Sequence, residues 1–322
     1  MKNVLIIGGL GFIGSNLAHA LFKKDYKITI LDAQIDPYGW NFFNIDEIKN
    51  KVNYKKIDIR DISSLNSQIK NKDIIFNFAG QVSRIISLED PQLDIDINVI
   101  GTINVLEAVK NHAPDAKVIF AGSRAQTGEP KYLPVDEDHP DNPTDIYGIN
   151  KLTAEKYHKL YYDVYKIRTS IFRINNVYGP RCQIKHGHYG VLNLFIYWAI
   201  SNSPLTVYGD GRQTRDYIYI DDLVQAFINV MDNQKSDGHS FQVGSGIETK
   251  FIEMVNIIKD IIPNSNIVHQ PFPELLDKID INRYVSTSKK LNQMTDWTPK
   301  ISLRKGITKT IEYYKKNLDN YL

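Results

Sequence analysis

The stretch Val4-Leu5-Ile6-Ile7-Gly8-Gly9-Leu10-Gly11-Phe12-Ile13-Gly14 decides the fold of this chain. Its first four residues are apolar and predict a buried parallel strand, and the residues from Ser15 to Phe22 have apolar side chains at helical spacing. The turn between them contains Gly8, Gly11 and Gly14. Glycines let the chain turn tightly and approach a pyrophosphate at the N-terminus of the helix. A strand, a glycine turn and a helix in this order predict a dinucleotide-binding unit.

The next predicted strand, Lys27 to Leu31, ends in Asp32. A carboxylate at this position can accept both hydroxyls of an adenosine ribose and repels a 2′-phosphate, so NAD is favoured over NADP. Asp58 and Ile59 follow a short strand and are placed to meet the edge of the adenine, with an ordinary surface turn as the alternative. The expected cofactor-binding residues of these segments are Gly8, Gly11, Phe12, Ile13, Gly14, Asp32, Asp58 and Ile59.

Two further apolar segments predict buried strands. The segment from Ile74 to Gly80 ends in small residues, which leave space for a ligand in the crevice of the sheet. The segment from Val118 to Ser123 ends in a hydroxyl group. Between them, periodicity predicts a helix from Asp96 to Val109 that contains Asn98. Phe78, Ala79 and Gly80 at the end of the first of these strands are also expected to contact the cofactor.

Strands alternate with helices through the first half of the chain. This pattern predicts an α/β fold of the Rossmann type, with a doubly wound parallel sheet. The alternation stops beyond Pro180. We therefore expect an NAD-binding domain at residues 1–175 and a smaller, partly interleaved C-terminal substrate domain at residues 176–322. Part of the segment 205–245 is expected to return to the first domain.

Tyr147 and Lys151 are four residues apart and therefore lie on the same face of a predicted helix. A nearby cation favours the phenolate form and lowers the pKa of a tyrosine from about 10. Tyr147 is thus a candidate general base or acid. The same spacing occurs by chance on many helices, so the assignment depends on what the rest of the chain provides.

Charge and composition exclude several classes of protein. The 322 residues include 39 Lys and Arg against 37 Asp and Glu, and a net charge of +2 gives no basis for binding nucleic acid or a membrane surface. The single cysteine, Cys182, excludes an intramolecular disulfide and a cysteine metal cluster. No apolar run reaches the roughly 20 residues that span a bilayer. We expect a cytoplasmic enzyme that has no metal site.

Taken together, the motifs resemble the extended short-chain dehydrogenase/reductase family, in its nucleotide-sugar epimerase and dehydratase branch. The resemblance covers essentially the whole chain, and the motifs occur in the order of that family. They are the glycine turn, Asn77-x-Ala79-Gly80, Ser123, Tyr147-x-x-x-Lys151, Arg173-x-x-Asn176-x-Tyr178-Gly179-Pro180, and Gly209-Asp210-Gly211 followed by Arg215-Asp216.

The resemblance implies roles for the residues of the reaction centre. Tyr147 exchanges a proton with a sugar hydroxyl while a hydride passes between the sugar carbon and the nicotinamide. Lys151 binds the nicotinamide ribose and holds the pKa of Tyr147 low. Ser123 shares a short hydrogen bond with the same sugar oxygen, and Asn98 positions the lysine through water.

The resemblance also implies a substrate site. Asn176 and Arg215 hold the diphosphate of the substrate, with a surface ion pair to Asp216 as the alternative for the arginine. Arg84, His186 and His188 are candidates for the sugar site, with solvated loop residues as the alternative. The expected substrate-binding residues are Gln81, Ser123, Arg124, Asn176 and Arg215.

The sequence departs from the family pattern directly after Ser123. Dehydratases of this branch have an Asp-Glu pair there, which protonates the leaving hydroxyl and removes the C5 proton, whereas this chain has Arg124 and Ala125. The glutamate typical of decarboxylases is also missing. The commonest epimerases have a tyrosine where this chain has Thr127, so the usual galactose pocket is not assumed. The stretch around Gln81 also resembles 2-epimerases of CDP-linked deoxysugars.

We therefore expect an NAD-dependent epimerase of a nucleotide-diphosphate sugar, which oxidises a ring carbon transiently, with C4 as the expected position, in a pathway to surface polysaccharides. The alternatives are an NAD(H)-dependent reductase or oxidase of a keto-sugar nucleotide, a 4,6-dehydratase, and a regulatory subunit that only binds these ligands. The family further implies a homodimer, formed through the helices at Asp96–Val109 and Tyr147–Tyr162.

Overall fold

A computed structural model of the chain describes residues 1–24 and 26–322. Its strands are β1 (Asn3–Ile7), β2 (Lys27–Asp32), β3 (Asn53–Lys56), β4 (Ile74–Asn77), β5 (Lys117–Ser123), β6 (Arg168–Ile174), β7 (Asn176–Tyr178), β8 (Leu205–Tyr208), β9 (Thr214–Arg215), β10 (Tyr217–Tyr219), β11 (His239–Val243), β12 (Thr249–Lys250) and β13 (Ile267–Gln270).

The α-helices are α1 (Phe12–Phe22), α2 (Ile62–Ile69), α3 (Arg84–Glu89), α4 (Pro91–Ile95), α5 (Gly101–His112), α6 (Ile146–Tyr165), α7 (Val191–Ile200), α8 (Ile220–Met231), α9 (Phe251–Ile261), α10 (Glu274–Ile279), α11 (Lys289–Thr295) and α12 (Leu303–Asn317). A longer 3₁₀ segment lies at Phe42–Lys51, and one turn of π-helix at Asp96–Ile100 joins α4 to α5.

Seven strands form one sheet in the order β11-β6-β5-β4-β1-β2-β3, and every neighbouring pair is parallel. The residues Val4–Ile7 of β1 are at most 1% exposed, since helices cover both faces of the sheet. The expected Rossmann-type parallel sheet is confirmed.

The order of the strands fixes where a ligand can bind. The chain first runs from β1 outward to β3 and then crosses to β4 on the other side of β1. The turns that follow β1 and β4 therefore diverge to opposite faces and leave a crevice at the carboxyl ends of the strands. Gly8 follows β1, and the segment 78–80 follows β4, so both lie at this crevice.

The C-terminal half contributes both to the sheet and to a separate layer. β11 pairs with β6 and forms one edge of the large sheet, while α8 packs against α1. Three small strand pairs, β7 with β10, β8 with β13 and β9 with β12, lie outside that sheet. The helices α7, α9 and α12 pack against one another beside them. The domain boundary at residue 175 stays a prediction.

Two helices carry Tyr147, Lys151 and Asn98, three of the residues expected at the reaction centre. α6 begins after Asp145, whose carboxylate accepts a hydrogen bond of 2.7 Å from Gly148 N, and it ends at Lys166 in the left-handed conformation. The second helix is continuous from Pro91 to His112 because the π-helical turn links α4 and α5. None of the described helices is both long and apolar enough to cross a membrane.

Candidate active site

A cavity of about 980 Å³ opens at the carboxyl ends of the central strands and extends towards the C-terminal half of the chain. It brings together nearly all of the residues that the sequence singled out. The predicted residues that line it are Gly8, Gly11, Phe12, Ile13, Gly14, Asp32, Asp58, Ile59, Phe78, Ala79, Gly80, Ser123, Arg124, Tyr147, Lys151, Asn176 and Arg215. Asn98 and Gln81 are the two that do not.

The glycine turn fits a pyrophosphate because side chains have no room in it. Gly8 has φ +80°, and a Cβ added to it would lie 2.9 Å from Ala79 N. A Cβ on Gly14 would lie 2.4 Å from the carbonyl oxygen of Gly8, so α1 can approach β1 only with glycine there. Gly11 caps α1 without a side-chain hydrogen bond. The N–H groups at the start of α1 are thus free to bind an anion.

Asp32 lies at the end of β2 and is fixed by the backbone. Its two carboxylate oxygens accept hydrogen bonds of 3.0 Å, one from Leu10 N and the other from Gln34 N. Each oxygen keeps a free lone pair towards the cavity, which suits the two hydroxyls of an adenosine ribose. Burial raises the pKa of Asp32, and the two backbone hydrogen bonds counteract this effect. The two carboxylate oxygens of Asp32 are therefore suitable acceptors for the adenosine ribose of NAD.

Asp58 and Ile59 line the same end of the cavity, although Asp58 is not free. Its carboxylate forms an ion pair of 2.6 Å with Arg60. Burial acts to raise the pKa of Asp58, but the hydrogen bonds from Arg60 outweigh burial and lower it. Ile59 packs against Gly101, the first residue of α5. The contact is so close that a Cβ added to Gly101 would lie 2.4 Å from Cδ1 of Ile59. Their contact with the adenine stays a prediction.

Ser123, Tyr147 and Lys151 meet where β5 ends beside the first two turns of α6. Tyr147 and Lys151 are 8% and 3% exposed, so the cavity wall covers most of both side chains. Lys151 Nζ donates a hydrogen bond of 3.2 Å to the carbonyl oxygen of Ala121 and lies 4.9 Å from the centre of the Phe120 ring. This arrangement places a phenol, a hydroxyl and an amine around one corner of the cavity.

The expectation that Lys151 lowers the pKa of Tyr147 does not hold in this structure. Burial raises the pKa of Tyr147 to about 12, and a hydrogen bond with Ser123 and the charge of Arg124 act in the opposite direction. Burial also lowers the pKa of Lys151 to about 8. The sequence pattern indicated that the two residues are neighbours, but it could not show that desolvation dominates both pKa values.

Lys151→Met is expected to stabilise the cofactor-free protein. The ordinary pKa of this lysine is 10.5, and burial lowers it to about 8. The buried ammonium group of Lys151 therefore destabilises the folded protein. This effect is complete below pH 8 and vanishes as the pH rises through 10.5. Methionine should raise the free energy of unfolding by about 1–3 kcal/mol at pH 7. Urea denaturation at pH 7 and pH 10 measures the free energy of unfolding of both proteins. A gain in stability that does not shrink at pH 10 would contradict the lowered pKa of Lys151.

Gly80 and Asn98 surround the amine of Lys151. A Cβ on Gly80 would lie 2.9 Å from Lys151 Nζ and 2.8 Å from Asn98 Oδ1, so glycine alone leaves both groups their present positions. Asn98 is buried in the π-helical turn; its Nδ2 donates to the carbonyl of Gln81, and its Oδ1 has no partner among the described residues. Asn98 thus lies one layer behind the cavity, and its action through water stays a prediction.

The expectation that Gln81 contacts the substrate does not fit its position. The side chain is fully buried and does not line the cavity. Its Nε2 donates to Asp94 Oδ2 and to the carbonyl of Ser83, and its Oε1 accepts from Ser83 N. Its hydrogen bonds are therefore used inside the protein, where they support the turn between β4 and α3.

Asn176 and Arg215 line the cavity from the C-terminal half. The Oδ1 of Asn176 is buried without a partner among the described residues, so a hydrogen bond from a ligand would satisfy it. Arg215 pairs with Asp280 at 2.5 Å and donates to the carbonyl of Ile281. The alternative pairing with Asp216 is wrong, because that carboxylate is fully buried among other donors.

Arg84, His186 and His188 also line the cavity. Arg84 forms an ion pair with Asp145, the residue that caps α6. His186 Nε2 lies 3.0 Å from the carbonyl oxygen of Pro37, and its ring packs on that of His188. His186 thus links the loop 181–190 to the segment after β2, and all three residues are partly buried rather than simply solvated.

A buried network behind Ser123 escaped the sequence analysis. Gln126 Oε1 accepts a hydrogen bond of 2.7 Å from Ser123 N, and its amide nitrogen donates to Glu155 on α6. Glu155 in turn receives two hydrogen bonds of 2.9 Å from Arg173 on β6. Ser123 and Gln126 match the Ser-x-x-Gln pattern of a capping box, and this signal could have indicated the first link.

Comparison with known proteins fixes the family. A family model described as GDP-mannose 4,6 dehydratase matches residues 5–310. The chain belongs to this family. The predicted membership of the nucleotide-sugar epimerase and dehydratase branch of the extended short-chain dehydrogenases is thereby confirmed. The chain is an enzyme of the NAD-dependent nucleotide-sugar epimerase/dehydratase family.

Relatives within this family have two activities in their names. A putative UDP-glucose 4-epimerase of Methanocaldococcus jannaschii is 37% identical over 98% of this chain and 99% of its own length. A dTDP-D-glucose 4,6-dehydratase of Bos taurus is 31% identical over 99% of this chain and 90% of its own length. The family therefore leaves the choice between the two reactions open.

Solved structures of family members have the same fold. UDP-glucose 4-epimerase of Thermotoga maritima, determined with UDP-glucose, has a TM-score of 0.90 at 28% identity and covers 98% of this chain and 100% of its own. The enzyme of the same name from Thermus thermophilus, in complex with NAD, has a TM-score of 0.87 at 27% identity and covers 98% of this chain and 99% of its own.

Proposed function

We propose that this chain is an NAD-dependent epimerase of a nucleotide-diphosphate sugar, which acts by transient oxidation at C4. The observation that carries the proposal is the cavity wall after Ser123, where Arg124 and Ala125 stand beside Tyr147 and Lys151. This wall contains the groups that move a proton to and from a sugar hydroxyl. It lacks a carboxyl group that could expel water from the sugar.

The carboxyl groups near the cavity argue against dehydration. Among the described residues that line it, only Asp32, Asp58 and Asp280 have carboxylates. Asp32 and Asp58 lie at the end that fits adenosine, and Asp280 is paired with Arg215. Dehydration needs an acid for the departing hydroxyl and a base for the C5 proton, and Arg124 and Ala125 supply neither.

The residues of the reaction centre suit a reversible oxidation. Tyr147 accepts the proton of the sugar hydroxyl and later returns it, and Ser123 holds the same oxygen by a hydrogen bond. Arg124 keeps positive charge near the phenol, which opposes the effect of burial on the pKa of Tyr147. NAD, when bound, accepts a hydride from the sugar carbon and returns it to either face of the planar ketone.

The test is to incubate the purified enzyme with UDP-, GDP-, CDP- and dTDP-sugars without added NAD. Epimerisation gives a new chromatographic peak of unchanged mass, because the hydride that leaves the sugar returns to it. Loss of water would overturn the proposal in favour of dehydration, and a change of two hydrogens would indicate a net oxidoreductase. The relatives named UDP-glucose 4-epimerases make UDP-sugars the first choice.

We also propose a homodimer, because α6 and the π-helical turn expose apolar side chains. Ile149, Leu160 and Val164 lie on one stripe of α6 and are 50%, 50% and 58% exposed, and Ile100 nearby is 45% exposed. A second copy that covered this stripe would remove it from water. The stripe agrees with the pair of helices that the family resemblance assigns to the interface.

Replacing both Leu160 and Val164 with aspartate is expected to convert the dimer to a monomer, because two charges would then be buried in the interface. Light scattering coupled to size exclusion measures the mass directly. Ile247→Asp is the matched control, since this residue is 63% exposed and lies elsewhere. A wild-type monomer, or a dimer that survives both aspartates, would contradict the proposal.

A further inference from the structure

Arg124 lies at the sugar end of the cavity, which is the end formed by Ser123 and Tyr147, and none of the described carboxylates lies within ion-pair distance of it. It begins the short 3₁₀ turn after Ser123, and its side chain lines the cavity. Its Nη1 is buried and has no hydrogen-bond partner among the described residues. The guanidinium of Arg124 lies over the ring of Tyr284, with 5.3 Å between its Cζ and the centre of the ring.

The other two arginines that line the cavity have carboxylate partners. Arg84 pairs with Asp145, and Arg215 pairs with Asp280. No described carboxylate forms an ion pair with Arg124. Burial, followed by repulsion from Arg215 and Arg84, lowers the pKa of Arg124 to about 10, so it stays charged at neutral pH. The buried Nη1 of this charged group has no hydrogen-bond acceptor among the described residues, which is costly, and an incoming anion would remove that cost.

The position of Arg124 favours an anion on the sugar over the diphosphate. Arg124 directly follows Ser123 and is close enough to Tyr147 for its charge to act on the phenol. Both of these residues contact the reacting sugar hydroxyl in the proposed reaction. Asn176 and Arg215, which are proposed to hold the diphosphate, belong to strands of the C-terminal half.

We propose that the sugar of the substrate has a carboxylate, as in a uronic acid linked to a nucleoside diphosphate, and that Arg124 binds this carboxylate. The planar fork of a guanidinium matches a carboxylate with two parallel hydrogen bonds. The inference rests on the proposed epimerase function, which it narrows to one class of sugar.

The chemistry of such a substrate gives the ion pair a second effect. Oxidation at C4 places a ketone directly next to C5, the carbon that bears the carboxylate. The oxidised sugar is therefore a β-keto acid, and β-keto acids readily lose carbon dioxide. In that loss the C5–C6 bond breaks and its electron pair forms an enolate, so the negative charge leaves the carboxylate. Arg124 stabilises the charge on the carboxylate itself, and it therefore favours return of the hydride over decarboxylation.

The experiment compares UDP-glucuronate with UDP-glucose, two substrates that differ at C6, for the wild type, Arg124→Gln and Arg124→Lys. We expect the wild type to prefer the uronate in kcat/KM by about 10- to 100-fold, the range of one charge-assisted interaction. Arg124→Gln should abolish this preference: the kcat/KM for UDP-glucuronate should fall about 10- to 100-fold further than that for UDP-glucose, which loses only the charge beside Tyr147. Arg124→Lys keeps the charge without the fork and should retain part of the preference.

Equal kcat/KM values for the two sugars, or an equal loss with both in Arg124→Gln, would overturn the inference. Binding to the Tyr147→Phe variant, measured by calorimetry, separates this outcome from failure of the proposed function. Tighter binding of UDP-glucuronate that depends on Arg124 supports the carboxylate site even if no epimer forms. A product that has lost carbon dioxide would support the carboxylate site and overturn the epimerase proposal. Binding of neither sugar would contradict the inference.

Discussion

Tyr147→Phe is expected to lower kcat by about 10²- to 10⁴-fold, the usual contribution of a general acid or base. Phenylalanine keeps the ring that fills this corner of the cavity and removes only the hydroxyl that exchanges the proton. Binding of the nucleotide sugar should change little, because the residues proposed to hold the diphosphate, Asn176 and Arg215, are retained. Single-turnover kinetics with the wild type and the variant, each assayed for the same epimer, measure the effect.

Tyr161→Phe is the matched control for this variant. Tyr161 also lies on α6, is 6% exposed against 8% for Tyr147, and uses its hydroxyl to bond Glu107 on α5. The Tyr161→Phe variant should be somewhat less stable than the wild type and should keep the wild-type kcat. If the two variants had the same kcat, Tyr147 would have no role in proton transfer, and the chain would bind these ligands without acting on them.

Arg173→Met is expected to lower the free energy of unfolding by about 3–5 kcal/mol, the cost of removing one partner of a buried ion pair. Arg173 is 2% exposed and holds Glu155, which is fully buried, through two hydrogen bonds of 2.9 Å. Burial acts to raise the pKa of Glu155, but Arg173, followed by Lys159, outweighs burial and lowers that pKa to about 2. Without the arginine, the carboxylate keeps, among the described residues, only its ion pair with the partly exposed Lys159 and its hydrogen bonds from Gln126 and Ser240.

The pH dependence of this effect separates lost charge pairing from lost packing. Because the folded pKa of Glu155 lies below its ordinary value of 4.5, the pair stabilises the wild type above pH 4.5 and loses this effect as the pH falls towards 2. The difference between Arg173→Met and wild type should therefore shrink as the pH falls below about 4.5. The double variant Arg173→Met, Glu155→Met should recover much of the stability at pH 7. A difference independent of pH would indicate a packing defect.

Arg173→Met should also lower kcat. Its partner Glu155 accepts a hydrogen bond from Gln126, and Gln126 in turn holds the backbone of Ser123. The size of this decrease reports how far the network positions Ser123. Ser240→Ala removes another hydrogen bond to Glu155, of 2.7 Å, without touching the arginine. It is expected to show a smaller loss of both stability and kcat.

Local patterns in the sequence were sufficient for the sheet and for much of the cavity wall. The sequence from Val4 to Phe22 predicted the strand, the glycine turn and the helix correctly, since neighbouring residues alone impose those conformations. Helical spacing likewise showed that Tyr147 and Lys151 are neighbours. These features depend on contacts within a few residues, which a single sequence displays directly.

Features that depend on distant partners could not be predicted. Arg215 lies next to Asp216 in the sequence but pairs with Asp280, because the chain folds back on itself beyond β13. Gln81 follows a strand that reaches the cavity, yet its amide turns inward to Asp94. The pKa of Tyr147 depends on desolvation by the whole cavity wall. Only the folded chain determines such partners and the extent of burial.

The position of β11 has a consequence for synthesis of the chain on the ribosome. This strand completes the edge of the large sheet, but its residues, 239–243, emerge long after the nucleotide-binding segments. Until then β6 presents unpaired N–H and C=O groups, and α1 lacks its contact with α8. A nascent chain that ends near residue 175 is therefore prone to aggregate and is a natural client for chaperones.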